Sequence, residues 1–147
     1  MTSKQQALKF YTILNRTTAA VNKVMEKDIR SYGLNPTEFG VLELLYHKGD
    51  QPIQKIGEKI LIASSSITYV LDKLEKKDLI KRVPCPSDRR VTYATITVAG
   101  KELIERIFPT HENAIASLVK DFSQLELEIV TEKLKKIGLL ASFDTSK

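Results

Sequence analysis

Two adjacent arginines lie in a predicted loop, where their positive charges could bind an anion. Arg89 and Arg90 follow a Pro-Ser-Asp sequence at residues 86–88, which is typical of a tight polar loop. Neighbouring guanidinium groups repel each other unless an anion receives them, and arginine at a loop tip suits the narrow, electronegative minor groove of A·T-rich DNA. Asp88 is placed to fix the Arg90 side chain through a carboxylate–guanidinium pair. We therefore predict that Asp88, Arg89 and Arg90 form a DNA-contacting loop.

A second group of polar side chains falls on one face of a predicted helix that starts at the serines of residues 64–66 and ends at Lys77. At about 100° per residue, Ile67, Val70, Leu71 and Leu74 share one apolar stripe. The opposite arc is rich in hydroxyl and amine groups, which bond to base edges and phosphates. Its candidate DNA contacts are Ser64, Ser65, Ser66, Thr68, Tyr69, Lys73 and Lys76. A merely solvated polar face is the alternative interpretation.

The positive charge of the chain is concentrated around these two groups. The 147-residue chain has a formal net charge of +5. Residues 52–96 contain nine basic and five acidic side chains, so this segment carries four of the five excess charges. A local basic excess is expected of a phosphate-binding surface. A charged face in contact with solvent would have the same composition, so the excess supports the interpretation without deciding it.

The elements that must position these residues are mostly helices. Apolar periodicity predicts a first helix over residues 4–32. Asn35, Pro36 and Glu38 then form the start of a second helix, with Asn35 as N-cap, and Gly49 ends it. A short third helix over residues 54–61 precedes the serine-headed fourth helix. After the hairpin, Thr97 caps a fifth helix that runs to about Asp121 with a bend at Pro109, and a capping box at residues 123–126 opens the last.

Residues 79–83 and 91–96 are rich in β-branched and aromatic side chains and predict two strands of a β-hairpin. A short helix, a polar helix and a basic hairpin in this order predict a winged helix-turn-helix. The fold class is therefore mainly α with a small β-hairpin, in a single domain over residues 1–147. Within it, residues 34–96 form the DNA-binding region, and residues 4–32 and 97–141 form a helical dimerisation region.

The segment from Asp88 to Gly100 resembles the wing-to-helix motif of the MarR family of bacterial transcription regulators, an Asp-x-Arg wing followed by a strand and Leu-Thr-x-x-Gly. The segment 71–80 is similar to the end of that family's recognition helix, and the helix order agrees over the whole chain. Two positions depart from the family pattern: Asp78 replaces its usual Gly and Ile96 its usual Leu. Asp tolerates the left-handed conformation needed where a helix ends.

Within the family, residues 51–57 and 66–69 resemble the quinone- and phenol-responsive repressors of the MhqR type. This resemblance implies a repressor that small aromatic or electrophilic compounds release from DNA. Family members bind such effectors in a crevice between the dimerisation helices and the winged region. The residues that the resemblance places near such a crevice are Tyr11, Phe39, Tyr46 and His47. Ordinary core aromatics at helical spacing are the alternative.

Two-fold pairing is expected because one winged helix makes few base contacts. A homodimer would place its recognition helices about 34–36 Å apart and would select a pseudo-palindromic operator in double-stranded DNA. The first, fifth and sixth helices carry more apolar residues than the small winged region needs for its core, and Leu139, Leu140 and Phe143 extend this surface almost to the chain end. Packing of that segment on the first helix of the same chain is the alternative.

The sequence gives little support to other classes of protein. No nucleophile with a paired base is evident, and His47 and His111 lack metal-ligand spacing, so we predict no enzyme, no metal and no cofactor. His111 is expected on an exposed face. The single cysteine, Cys85, predicts a reducing cytoplasm and is a weak candidate for a redox role. No apolar run predicts a membrane span. A winged helix that binds protein instead of DNA is the competing function.

Overall fold

The computed structural model describes residues 1–60 and 64–145, without the side chains of residues 64, 65, 144 and 145. Two compact units divide the chain, Met1–His111 and Glu112–Lys147. The helices are α1 (Ser3–Arg30), α2 (Pro36–Lys48), α3 (Ile53–Lys59), α4 (Ser64–Lys76), α5 (Val98–Leu118) and α6 (Gln124–Thr145). The strands are β1 (Gln51–Pro52), β2 (Ile80–Pro84) and β3 (Thr92–Ile96). The predicted combination of helices with a small hairpin is confirmed.

Two predicted capping boxes are present. At the start of α2, the Glu38 backbone N–H donates to Asn35 Oδ1 at 2.8 Å and the Asn35 backbone N–H donates to Glu38 Oε1 at 3.0 Å. At the start of α6, the Glu126 backbone N–H donates to Ser123 Oγ at 3.1 Å and the Ser123 backbone N–H to Glu126 Oε2 at 2.8 Å. Each box pairs two N–H groups that the first helical turn leaves without partners.

The three strands form one antiparallel sheet in the order β1-β3-β2. The predicted β2–β3 hairpin is confirmed, with Ile80 opposite Ile96 and Pro84 opposite Thr92. The prediction of a hairpin alone was incomplete, because Gln51 pairs with Ala94 and adds β1 at the other edge of β3. A two-residue strand has no periodicity to read, and only its partner across the fold defines it.

The end of α4 and the start of α5 meet at one hydroxyl group. Asp78 has φ 61°, the left-handed conformation predicted for the residue that ends this helix. Thr97 Oγ1 donates to the Asp78 carbonyl at 2.7 Å and accepts from the Gly100 N–H at 3.0 Å, which confirms Thr97 as the cap. A Cβ at Gly100 would overlap the Leu79 carbonyl and the Ile96 side chain, so glycine is required here.

The hydrophobic core lies entirely in the first unit, between Ile29 and Ile107. The stripe predicted on α4 is part of it, since Leu71 and Leu74 are fully buried and Ile67 and Val70 nearly so. The helices and sheet of this unit enclose these apolar side chains: Leu34, Phe39, Val41, Leu42, Leu45, Ile56, Leu79, Ile80, Ala94, Ile96 and Ile104.

The second unit contains the end of α5 and helix α6, and every described side chain over residues 120–143 is exposed. One predicted boundary was wrong here, because α5 ends at Leu118 rather than near Asp121. Helix α6 extends to Thr145, and the fraying expected over residues 142–147 stays a prediction. Pro109 lies inside α5 as predicted. No helix in the described ranges has the length and apolarity to cross a bilayer.

Candidate nucleic-acid interface

Helix α4 separates a buried apolar side from an exposed polar side. Its apolar stripe packs into the core, so the opposite side faces outward. Ser66, Thr68 and Lys76 are exposed, and Tyr69 retains 66% of its surface. These side chains have the hydroxyl and amine groups that were predicted to contact DNA. The side chains of Ser64 and Ser65, also predicted contacts, lie outside the part of the chain that the structure describes.

Arg82 of β2 holds one flank of α4. Its Nη2 donates to Asp72 Oδ1 at 2.7 Å and to the Thr68 carbonyl at 3.4 Å. Its Nη1 donates to Glu75 Oε1 at 3.3 Å, and its backbone N–H donates to Glu75 Oε2 at 3.2 Å. Thr68, Asp72 and Glu75 follow one stripe of the helix surface, because residues three and four apart are neighbours there. Arg82 therefore sets the position of α4 relative to the hairpin.

Sequence reasoning missed this role of Arg82 and counted it only within the basic excess. A signal was present in the acidic residues of α4. Asp72 and Glu75 lie on a helix whose remaining charges are positive, and carboxylates on a DNA-contacting helix need a cation partner. Arg82 supplies that partner, so its guanidinium is used inside the protein rather than offered to DNA.

The wing is the loop between β2 and β3, residues 85–91. Its base is closed by the Cys85 N–H, which donates to the Val91 carbonyl at 2.9 Å. At its tip, Asp88 Oδ1 accepts from the Arg90 backbone N–H at 3.0 Å and from Arg90 Nε at 3.2 Å. These two bonds hold the pKa of the Asp88 carboxyl below its usual range, the backbone N–H contributing most. The predicted Asp88–Arg90 pair is confirmed.

The Arg90 side chain is 91% exposed although Asp88 binds it, so the guanidinium points into solvent in a defined position. Arg89 beside it is also exposed. Gln54 Nε2 of α3 donates to the Arg90 carbonyl at 3.4 Å and ties the wing to the helix-turn-helix. Two cationic side chains thus project from a loop that is fixed at both its tip and its side.

Lys73 differs from the other predicted contacts because it is half-buried on the flank of α4 away from Arg82. Its Nζ lies 5.6 Å from the centre of the Tyr69 ring, within the range of a cation–π contact. Within the described residues Lys73 takes part in no salt bridge, unlike Lys77 one turn further on, whose Nζ is 2.8 Å from Glu38 Oε2. Lys73 therefore keeps its charge for an external partner.

The four residues proposed for an effector crevice do not behave alike. Phe39 is buried in the core, 3% exposed, while Tyr11 on α1 is 62% exposed. Tyr46 and His47 are in ring contact at 5.1 Å, and His47 also contacts Phe108 of α5 at 5.4 Å. Phe39 contacts the His111 ring at 4.6 Å, and His111 lies 6.2 Å from Phe108, so Phe39, Tyr46 and His47 belong to one aromatic group between α2 and α5. No described ring contact joins Tyr11 to it.

The expectation that His111 is exposed was wrong. Its Nδ1 lies 2.8 Å from Asp28 Oδ2, and both side chains are close to 10% exposed. Asp28 Oδ1 also accepts from the Tyr32 hydroxyl at 2.6 Å. Burial, together with this bond to Asp28, raises the pKa of Tyr32 to about 12. The partners are 83 positions apart, so no local pattern around His111 could have indicated them.

Cys85 is half-buried at the base of the wing, where its Sγ lies 3.3 Å from Ser87 Oγ. This hydrogen bond lowers the pKa of the Cys85 thiol. No group of three or more potential metal ligands occurs among the side chains that the structure describes.

Comparison with known proteins bears directly on this arrangement. The family model described as the MarR family matches residues 34–92, which span α2 to the first residue of β3. The HTH-type transcriptional regulator MhqR of Bacillus subtilis (strain 168) is 53% identical over 137 residues, which cover 93% of this chain and 94% of that protein. The chain belongs to the MarR family. It is a DNA-binding transcriptional regulator.

Solved structures agree with the MarR fold. Sco3205, a MarR family transcriptional regulator from Streptomyces coelicolor solved in complex with DNA, has a TM-score of 0.80 at 22% identity and covers 95% of this chain and 88% of its own. NadR, solved in complex with 4-hydroxyphenylacetate, has a TM-score of 0.72 at 18% identity and covers 84% of this chain and 88% of its own. At these identities the likeness extends to the fold.

Proposed function

We propose that this MarR protein is a homodimeric repressor that places α4 of each copy in a major groove and each wing in the adjacent minor groove. The observation that carries this assignment is Arg90, which is held by Asp88 and projects 91% exposed from a wing that Gln54 ties to α3. The proposed DNA contacts are Ser64, Ser65, Ser66, Thr68, Tyr69, Lys73, Lys76, Arg89 and Arg90, with Asp88 positioning Arg90. We assign the chain no catalytic step and place it in the cytoplasm, with the chromosome.

The homodimer is supported by apolar side chains that contact solvent in a single copy. On α1, Leu8 is 67% exposed and Ile13 is 52% exposed. On α6, Leu125, Leu139 and Leu140 each expose more than 60% of their surface. Burial of such side chains between two copies is favourable by roughly 25 cal/mol per Å² of apolar surface removed from water. Sedimentation at micromolar concentration should give twice the mass of one chain.

We further propose that a small aromatic compound, a phenol or a quinone, releases the repressor. NadR supports the chemical class, because a MarR-like fold there holds 4-hydroxyphenylacetate. In this chain Tyr46 and His47 are the candidate contacts at the edge of the aromatic group, with Phe39 behind them in the core. The effector must bind more tightly to the conformation that cannot bind DNA, because a ligand with equal affinity for both conformations does not shift the equilibrium between them.

Selection of bound duplexes from random DNA tests the operator geometry. Recovered sequences should be pseudo-palindromic, with half-site centres about 10 base pairs apart, as two recognition helices on one face of the duplex require. Repeating the binding with phenols and quinones should identify compounds that release the protein. Sequences without dyad symmetry would contradict the dimeric arrangement, and release by none of these compounds would contradict the effector class.

The wing contact is tested by Arg90→Ala, with Arg106→Ala on the exposed surface of α5 as the matched control for loss of one positive charge. Loss of a groove-bound arginine costs about 1–3 kcal/mol, and the homodimer loses one from each copy, so affinity should fall by roughly 30-fold or more. The Arg90→Ala protein should remain dimeric and bind the selected duplex this much more weakly, while Arg106→Ala binds like wild type. Equal affinity of the two variants would show that the wing does not contact DNA.

A further inference from the structure

A basic recess opens on the flank of α4 that faces away from the wing. It has a volume of about 270 Å³ and lies where the end of α1, the start of α2 and the second half of α4 come together. The residues that matter for its chemistry are Arg30, Gly33, Asn35, Glu38, Lys73 and Lys77. All of them belong to the first compact unit.

The charges in the basic recess leave it positive. Glu38 is its single carboxylate, and this side chain is 3% exposed, capped onto the start of α2 and paired with Lys77 at 2.8 Å. Arg30 binds Glu26, which lies outside the recess, through its Nε and Nη2 atoms. The remaining N–H groups of its guanidinium do not contact Glu26. Lys73 has no carboxylate partner in the described part of the chain. Lys73 therefore carries a positive charge that no described carboxylate neutralises, and Arg30 can still donate to an anion through the N–H groups that Glu26 does not use.

The position of the basic recess on α4 identifies that anion. Thr68, Asp72 and Glu75 form the flank bound by Arg82 and the hairpin, while Lys73 and Lys77, one helical turn apart, form the other. The exposed strip with Tyr69 and Lys76 lies between these flanks. When such a strip faces the floor of the major groove, the two flanks face the phosphate strands on either side, since the groove is only about 12 Å wide.

We propose that the basic recess binds a phosphate of the operator strand opposite the wing, with Lys73 and Arg30 as its donors and Lys77 keeping Glu38 neutralised beneath them. This proposal rests on α4 entering the major groove; it adds Arg30 to the DNA contacts and gives Lys77 the supporting role of neutralising Glu38. Each copy then contacts both DNA strands that border the major groove, one strand through the wing and the other through the basic recess. The contact is to the backbone and carries no sequence preference.

The test measures affinity for the selected duplex and for a mixed-sequence duplex across a range of NaCl concentrations. Lys73→Gln and Arg30→Gln are compared with Lys101→Gln on the exposed surface of α5. Each substitution at the basic recess removes two phosphate contacts per dimer, so the slope of log affinity against log salt should become shallower by about two. Affinity at 0.1 M salt should fall about tenfold or more on both duplexes, and Lys101→Gln should leave slope and affinity unchanged.

Lys77 needs a different variant, because its removal alone would leave the buried Glu38 charge without a partner. Combining Lys77→Gln with Glu38→Gln removes both charges and keeps a side chain that can complete the capping box. This double variant should unfold within a few degrees of wild type and keep the wild-type salt slope, since Lys77 is not itself a phosphate donor. A shallower slope in this variant would overturn the division of roles between Lys77 and Lys73.

The outcomes separate this proposal from the wider interface. Weaker binding by Arg90→Ala with wild-type slopes for Lys73→Gln and Arg30→Gln would overturn the basic recess and leave the wing in place. Wild-type binding by all three would overturn the interface itself. A loss confined to the selected duplex would indicate base contacts instead of phosphate contacts. A changed response to phenols at an unchanged salt slope would show that the basic recess holds a small acid rather than DNA.

Discussion

The winged region and helix α6 bury their apolar residues to very different extents. In the winged region Leu42, Ile56, Leu71 and Leu74 are completely inaccessible to solvent. Helix α6 has a comparable supply of large apolar side chains, and its described side chains are all exposed. The first region therefore contains the core that its fold needs, whereas the second has apolar surface that a single copy leaves in contact with water.

The largest effect should come from shortening a leucine in the winged region. Leu74→Ala should lower the free energy of unfolding by about 3–5 kcal/mol, because it leaves a cavity in a packed core. Leu134→Ala on α6, at a side chain that is 43% exposed, is the matched control. Its effect should be smaller and should grow with protein concentration if α6 pairs two copies. Urea unfolding at two concentrations measures both, and equal, concentration-independent losses would remove the contrast.

The next effect concerns the contact that positions α4 within the winged region. Arg82→Ala removes the three side-chain hydrogen bonds to one flank of α4 and leaves the Asp72 and Glu75 carboxylates without their guanidinium partner. We expect a loss of about 1–3 kcal/mol in DNA binding with dimerisation intact.

Arg82→Lys is the control that keeps the charge but cannot reproduce the fork of a guanidinium. It should recover part of the lost affinity. Fluorescence anisotropy titration with the selected duplex measures the DNA affinity of both variants. Wild-type affinity for Arg82→Ala would show that α4 is positioned without this contact.

A smaller effect should appear at high pH, at the end of α1 that joins the core. Burial raises the pKa of Tyr32 to about 12 from an unfolded value near 10, so the folded state favours the neutral phenol. Its contribution to stability is complete below pH 10 and is lost as the pH rises toward 12. Tyr32→Phe removes this titration. The difference in melting temperature between the two proteins should therefore change from pH 9 to pH 11.5, and a constant difference would contradict the burial of this hydroxyl.

The smallest effect is expected at Cys85. Cys85→Ser retains a hydrogen-bonding group at the base of the wing, where the thiol now contacts Ser87. DNA affinity and the response to phenols should stay within about twofold of wild type. If a quinone released the wild-type protein from DNA but did not release Cys85→Ser, the Cys85 thiol would be the sensor, which would contradict our prediction.

Features set by neighbouring residues were predictable from the sequence. The buried stripe of α4, the capping boxes at Asn35 and Ser123 and the left-handed Asp78 each depend on residues within a few positions of one another. The Asp88–Arg90 pair is equally local, since only two positions separate its members.

Features that join distant segments were not predictable in the same way. Strand β1 is defined by its pairing with β3, where Gln51 lies opposite Ala94, and His111 is buried against Asp28 and Phe39 from other helices. Arg82 belongs to the same group, since its role follows from the way β2 crosses α4. For the candidate site, the sequence predicted which polar side chains of α4 and the wing face solvent, while the contacts that position them required the fold; their contact with DNA stays a prediction.

The hydroxyl of Thr97 has a consequence for how the regulator can be controlled. One oxygen atom bonds both to Asp78, just after the end of α4, and to Gly100 in the first turn of α5. We therefore expect a displacement at the start of α5 to strain the end of α4 through two hydrogen bonds that share one oxygen atom.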